Sequence, residues 1–560
     1  MSVSIGSGSP LGMRQALSRR SGRATLAAEV GAIAGLAVVA TLLRLPNLLD
    51  IPRFTDETEE ALIGLRLARG DAFPLTNRAP YIGALWNYLL AAAFLVGGPS
   101  IQSPRAVVLI VGVLTLVPTY LLGRSLGGPR VGVLTGALLA LSPVHIAVSS
   151  HIAWSNCITP LFTTSALWLL HRAVSSDRPK GLLWSGLAFG LGLQTHPTAF
   201  LLLPGALINA AWARPSWLRM RWPYLAVGLA VLAYANVLID NLHNHLYGLQ
   251  AAGERQRDYA GDKALSAGVY GQRLSLLLRL LADSLGGVLA ETGGPAGPFG
   301  NPIAFSMSLL VLAGLEWARR RREWLLLMTI ASMALLLPLA NDRYESAVPK
   351  ARYLAPLLPL CYAALALFLI EAFALFGATR TYLASRWVLP ARVAVAVVTL
   401  ATIAVPPLGL QRYYREAERR QLTNAPLFGA IQAIEAARSP GGWVAIDRRL
   451  GLSYTLGGGQ VVEHLTFAGA VYGWPRRIVD LPRAGATNVP PLSGVLVVDA
   501  RNAPLAMQAY QLEPVAAGAE PNPVMRVFRL KDGGSGSGAD PPPSQFPTAT
   551  PVPAWTPTGR

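Results

Sequence analysis

Residues 84–96, ALWNYLLAAAFLV, decide how this chain is threaded. Thirteen residues make about 20 Å of helix against a hydrocarbon core of about 30 Å, and Trp86, Asn87 and Tyr88 lie at the start of the stretch. It reads as an interfacial helix that does not cross. The charge rule agrees: were it to cross, the loop with Arg124 and Arg130 would fall outside, and without a crossing that loop falls inside, where basic loops belong. Upstream, the apolar run Ala27 to Leu45 follows a polar tail, Met1 to Arg23, holding Arg14, Arg19, Arg20 and Arg23. The run is too long for a signal-peptide core and reads as the first span, with the tail inside.

Downstream, further spans are expected near 106–123, 131–149, 157–170, 182–195, 198–212, 223–240, 303–318, 324–340, 353–376 and 388–408, for about eleven in all. Loops with Arg172/Arg178/Lys180, Arg214/Arg219/Arg221, Arg319 to Arg322 and Arg380/Arg386 then lie inside. The outer loops are 46–104, 150–156, the turn Gln194–Pro197, 241–301, 341–352 and everything after about 409.

Composition supports this threading. Of 560 residues, 52% are hydrophobic and 14% charged, against about 25% charged in globular chains, and mean hydropathy is +0.40. Disorder, collagen and coiled coil are excluded for most of the length. Two cysteines, Cys157 and Cys361, cannot build a disulfide scaffold. The net charge of +18 is carried almost wholly by arginine in short loops, with only four lysines; that pattern holds a topology in place and does not suggest nucleic acid. The expected fold class is an all-α polytopic membrane domain with a small C-terminal α/β extracytoplasmic domain, in the cell membrane, N-terminus cytoplasmic.

The expected domains are a basic tail over 1–23, a transmembrane domain over 24–410 with outer loops 46–104 and 241–301, an outer α/β domain over 411–531, and a tail over 532–560. In the α/β part, Ala425 to Arg438 has helical periodicity, while Trp443 to Ile446, Gly494 to Val498 and Val524 to Leu530 read as strands. The Gly/Ser/Pro/Thr-rich tail cannot build a core.

The polar signals all fall on the outer side. Residues 53–66, RFTDETEEALIGLR, place Asp56 and Glu57 just beyond the first span. Asp56 suits a helix N-cap with Glu59 at N3; a carboxylate there also suits a general base toward a hydroxyl. Arg78, in Asn77-Arg78-Ala79-Pro80-Tyr81, suits a phosphate at headgroup depth, or an ordinary surface role. Lys350, Arg352 and Tyr353 precede a span on the outside, against the usual bias of basic residues. His151 and Asn156 occupy another outer turn and His196 a third. Each histidine alone suits a structural role; five segments converging on one membrane face suit an active site. No Cys-x-x-Cys or histidine-rich zinc spacing is present, and no P-loop, Gly-x-Gly-x-x-Gly or Gly-x-Ser-x-Gly.

In order and side, these pieces resemble the GT-C glycosyltransferases, above all the family 39 group of protein O-mannosyltransferases and aminoarabinose transferases. The resemblance rests on Asp56-Glu57, Arg78-Ala79-Pro80, Leu141-Ser142-Pro143 and Arg352-Tyr353-Leu354-Ala355-Pro356-Leu357-Leu358-Pro359, and covers roughly residues 25–410. It implies an inverting transfer of a sugar from a polyprenyl-phosphate monosaccharide to an acceptor hydroxyl on protein, lipid or glycan, with neither nucleotide nor metal demanded. It implies Asp56 as base with Glu57 beside it, Arg78, Lys350, Arg352 and Tyr353 around the donor phosphate, and His151, Asn156 and His196 near substrate. Two departures matter. An arginine one step removed replaces a common Lys-Pro-Pro, and His151 and Asn156 stand where many relatives have arginine and aspartate. A secondary transporter or lipid flippase would share the spans, but it predicts mid-membrane charges and an internal repeat. A non-catalytic assembly factor would leave the acids and arginines idle.

Overall fold

The computed structural model describes residues 10–49, 57–260, 265–289, 301–341, 344, 351–378, 385–419, 424–452, 461–481, 494–515 and 525–530. They form two compact units. The first holds the chain up to Phe428 together with Leu450–Gly473; the second holds Gly429–Arg449 and the chain from Trp474 onward. The expected outer domain over 411–531 is therefore divided. Its helix Val461–Tyr472 belongs to the first unit because Phe467 and Ala470 are buried in that unit's apolar core.

Apart from one β-bridge, the described part of the first unit is helical. Its pillar is the helix Leu358–Ala378, in which the side chains up to Leu367 are buried on all sides. Helices Leu116–Gly127, Pro129–Ala140 and Pro302–Arg320 pack around it. Small residues permit the closest approaches. A Cβ on Gly314 would stand 2.0 Å from the carbonyl oxygen of Ala364. Gly186 and Gly190, one turn apart, face Ala226 and Ala230, where a Cβ would lie 2.2 and 2.6 Å from their oxygens. This small-xxx-small contact joins helices Leu182–Thr195 and Arg221–Ala233.

Four helices among the described residues are long and apolar enough to cross a membrane: Ala27–Arg44, Ser103–Gly127, Arg352–Leu375 and Leu389–Arg419. The pair Arg221–Ala233 and Ala235–His243, bent by 58°, makes a fifth if taken as one span. Shorter apolar helices cover Leu85–Gly97, Pro129–Ala140, Pro197–Ala213 and Leu325–Ala340. The expected spans thus differ from these helices in continuity. The stretch 131–149 is interrupted because Ser142 caps a new helix, accepting the N–H of His145 at 3.4 Å, with Pro143 in the first turn. The outer segment 241–301, expected as a loop, carries helices Tyr247–Ala260 and Ala267–Leu285. The second buries Leu277, Leu280, Leu281 and Leu285, an apolar stripe at helical spacing.

The second unit is built on a five-stranded sheet: β1 (Val444–Asp447), β2 (Arg476–Val479), β3 (Val495–Asp499), β4 (Leu512–Pro514) and β5 (Met525–Leu530), in the order β2-β1-β3-β5-β4. Strand β1 runs parallel to β2 and β3; β5 is antiparallel to β3 and β4. β1 and β3 are buried at every position, as central parallel strands require. Three strands lie within one residue of their expected positions; β2 and β4, half-exposed and short, carried no pattern strong enough to read.

Candidate active site

The turn before helix Thr159–Ser175 is the hub of the first unit's polar groups. Within five residues it engages three elements. The backbone N–H of Ala153 donates to Glu57 Oε2 at 2.7 Å, and that of Ser155 donates to Glu60 Oε2 at 2.9 Å. Glu57 and Glu60 stand one turn apart on helix Glu57–Ala68, so one helix face grips two alternate residues of the turn. Between them, the Trp154 ring lies under the Arg352 guanidinium, 4.0 Å from its centroid.

The glutamates are further fixed. Arg105 donates through Nε and Nη2 to Glu57 Oε1, at 3.1 and 2.9 Å, and through Nη1 to the Leu48 carbonyl at 2.7 Å. Both side chains are buried, 0% and 2% exposed, so each charge needs the other. Glu60 Oε1 accepts from Asn77 Nδ2 at 2.8 Å and from Ser155 Oγ at 3.1 Å. Asn77 Oδ1 accepts the N–H of Arg78 at 2.8 Å. Arg78 sits on a tight loop closed by the Thr76–Gly83 bridge and forms an ion pair with Glu59. Gly83 leaves room there for the Gln194 side chain, which a Cβ would displace.

Arg352 also donates to the Tyr353 hydroxyl at 2.9 Å. The His196 ring is 5.7 Å from that of Tyr353, and its Nδ1 accepts the N–H of Thr198 at 3.2 Å. Burial, with Arg352 adding to it, drives His196 down to about 3, so it is a neutral hydrogen-bonding group. His151 is likewise held well below its ordinary value, by burial and then by Arg105 and Arg44. Its Nε2 pairs with the Tyr414 hydroxyl at 2.7 Å. Asn156 is buried, 3.6 Å from Cys157 Sγ. Arg44, fully buried, donates to Ser149 Oγ at 2.9 Å and to the carbonyls of Ala40 and Ala140 at 2.9 and 3.4 Å. Its Nη2 lies 2.7 Å from His145 Nδ1; arginine only donates, so this nitrogen accepts.

The structure therefore brings Glu57, His151, Arg352 and Tyr353 onto one turn, with His196 beside Tyr353 and Arg78 linked through the Glu59–Asn77 side of the same helix. Asp56 and Lys350 lie outside the described residues. Glu57, expected beside the base, has both oxygens occupied by Arg105 and Ala153. Sequence reading passed over Arg44, Glu60, Arg105, Trp154 and Tyr414. A signal for two of them existed: the expected threading puts Arg44 and Arg105 at outer ends of their spans, against the same inside bias that drew attention to Lys350 and Arg352. Tyr414 had none, since its partner is 263 residues away. Among the described residues, no three His, Cys, Asp or Glu side chains gather as a metal set.

Residues 83–239 match the model of the dolichyl-phosphate-mannose-protein mannosyltransferase family. A stretch of 154 residues, 26% of this chain, is 29% identical to the dolichyl-monophosphooligosaccharide–protein glycotransferase AglB of Haloferax volcanii, of which it spans 15%. The crystal structure of ArnT from Cupriavidus metallidurans bound to undecaprenyl phosphate superimposes with a TM-score of 0.56 at 16% identity, covering 89% of this chain and 97% of ArnT. The apo form of ArnT gives 0.55 at 15% identity, covering 90% and 98%. The chain thus shares the fold of ArnT over most of its length, and residues 83–239 are similar to the dolichyl-phosphate-mannose-protein mannosyltransferase family.

Proposed function

We propose that this protein transfers a sugar from a polyprenyl-phosphate monosaccharide to an acceptor hydroxyl, with inversion, on the extracytoplasmic face. The observation that carries this reading is the turn at Ala153–Ser155, which ties the helix following Asp56 to the arginine and tyrosine that precede the pillar helix. Asp56 takes the acceptor proton as the oxygen attacks the anomeric carbon. The lipid phosphate departs with growing negative charge, which is where fixed cations act most strongly. Arg352 suits this role best: its guanidinium is held over the Trp154 ring, and its planar fork matches a phosphate. Arg78 must exchange Glu59 for phosphate before it contributes, and Lys350 follows from the sequence pattern. Neutral His151 and His196, with Asn156, suit sugar hydroxyls. Glu57 acts by position, fixing the start of the helix that Asp56 precedes. The names of ArnT's bound undecaprenyl phosphate and AglB's dolichyl donor support a lipid-linked donor.

The test is to offer the purified full chain a panel of radiolabelled polyprenyl-phosphate sugars. Release of lipid phosphate with label transfer to water or acceptor supports the reading; transport of intact donor across a vesicle without cleavage would replace it. Within this assay, Arg352→Ala is expected to weaken donor use roughly ten- to a hundredfold, the value of a charge-assisted hydrogen bond. Arg352→Lys should recover only part, lacking the planar fork. Wild-type rates in Arg352→Ala would remove it from the site.

Orientation is open to a separate measurement. Cys157 and Cys361 are buried, which keeps background labelling low. Cysteines introduced at Ser100 and Ser493 should react with an impermeant thiol reagent in spheroplasts, and one at Ser2 should not. The reverse pattern would put the site on the cytoplasmic side.

A further inference from the structure

His151 and Tyr414 meet across 263 residues. Nε2 of the imidazole lies 2.7 Å from the phenol oxygen, and the two rings stand edge to face, their centroids 5.4 Å apart. The other ring nitrogen, Nδ1, is buried and has no hydrogen-bond partner among the described residues. Its neighbours on the same stretch differ. The hydroxyls of Ser149, Ser150 and Ser155 each donate to an oxygen of the chain, on His145, Ile146 and Glu60. Buried polar atoms are paired as a rule, so an open nitrogen beside the turn that holds Glu57 and Arg352 points to a group from outside the chain.

Tyr414 is held firmly enough to direct that ring. Leu410, Tyr413 and Ala417, at i, i+3 and i+7 along helix Pro406–Arg419, are buried in the core of the first unit. Gly409 lies against the chain at Gly287, where a Cβ would stand 1.8 Å from the carbonyl oxygen. Beyond the helix, Asn424 donates to the carbonyl of Leu49.

Charge decides where the imidazole proton sits. Burial, Arg105 and Arg44 keep His151 neutral, so one ring nitrogen carries a proton and the other accepts. Arg44 also acts on Tyr414. A cation attracts the phenol oxygen and turns the O–H away from itself, as hydroxyl dipoles orient in a protein's field. The phenol then donates to Nε2, and the ring proton is left on Nδ1. We infer that Tyr414 is a positioning residue, keeping the His151 proton on Nδ1 and so presenting an N–H donor to a hydroxyl oxygen of the transferred sugar. Its use in transfer rests on the reading above; the setting of the ring does not.

The test is nitrogen NMR of the full chain in nanodiscs with isotope-labelled histidine, read beside the transfer assay. Imidazole shifts separate a protonated nitrogen from a bare one, and the His151 signals are identified by their loss in His151→Ala. Wild type should show the proton on Nδ1. Tyr414→Phe keeps the ring, removes only the hydroxyl, and should release His151 into a mixture of both tautomers. With a polyprenyl-phosphate sugar that wild type cleaves, kcat/KM in Tyr414→Phe should fall about tenfold, while affinity for undecaprenyl phosphate, which carries no sugar, stays within about twofold. In a His151→Ala background the same substitution should cost less than about twofold, because the two residues act as one unit. A role in folding alone predicts unchanged tautomers, weaker undecaprenyl phosphate binding in step with transfer, and equal losses in both backgrounds. Arg415→Ala, exposed on the same helix, should match wild type throughout.

A proton on Nε2 in wild type, or His151 signals that ignore Tyr414→Phe, would overturn the inference. If wild type cleaves no donor, the transferase reading falls and the spectra alone decide whether Tyr414 sets the ring. Normal cleavage with both spectra and kcat/KM untouched in Tyr414→Phe sinks the inference and leaves that reading standing.

Discussion

Asp56→Asn is expected to leave expression and donor binding near normal while turnover falls about 10²–10⁴-fold, the usual contribution of a general base. The substitution separates two roles that the sequence allows. In sequence, Asp56 directly precedes Glu57, the first described residue of helix Glu57–Ala68, and suits an N-cap with Glu59 at N3. Asparagine caps about as well as aspartate, so a capping role survives the change. A base does not, because an amide takes no proton at neutral pH. The measurement is single-turnover release of lipid phosphate at saturating acceptor, with thermal unfolding as a control. Full activity in Asp56→Asn would return the residue to capping and end the proposed mechanism.

The second large effect is on stability. Arg105→Ala leaves the Glu57 carboxylate buried and without its cation, a loss expected to cost about 3–5 kcal/mol. Glu57→Gln is expected to be costly as well, because Oε1 and Oε2 both accept hydrogen bonds and an amide supplies only one oxygen. Removing both charges together, with Glu57→Leu and Arg105→Met, should recover much of the loss, as replacement of buried pairs by apolar groups often does. Arg78→Ala is the contrast: its pair with Glu59 is half-exposed, and such pairs are worth about 0–1 kcal/mol. Melting of the purified variants in one detergent ranks them. An Arg105→Ala protein as stable as wild type would show that the buried pair does not hold the outer turn.

The two predictions divide Asp56 from Glu57, which the sequence could only present side by side. Glu57 looked like half of an acidic pair. Its work is set by Arg105 and Ala153, which are 48 and 96 residues away. The same holds for His151, whose partner Tyr414 lies 263 residues away on helix Pro406–Arg419. Distant hydrogen bonds have no periodicity, and a single sequence offers no other trace of them.

What the sequence determined by itself was set by local physics. Apolar runs of bilayer length separated by short arginine-rich loops pointed to a multi-pass helical membrane chain. Buried runs such as Val444–Asp447 and Val495–Asp499 announced the small sheet. The tertiary structure decided three further matters. The Ser142-Pro143 cap broke a stretch that hydropathy read as continuous, because hydropathy does not register where a helix restarts. Helix Val461–Tyr472 joined the membrane unit rather than the sheet that flanks it in sequence, because its apolar face found its core there. And the outer polar residues were sorted into those fixed by buried partners, such as Glu57 and Arg105, and those such as Arg352 whose guanidinium rests on aromatic rings, because a buried charge is satisfied only by whatever the fold brings within hydrogen-bond reach.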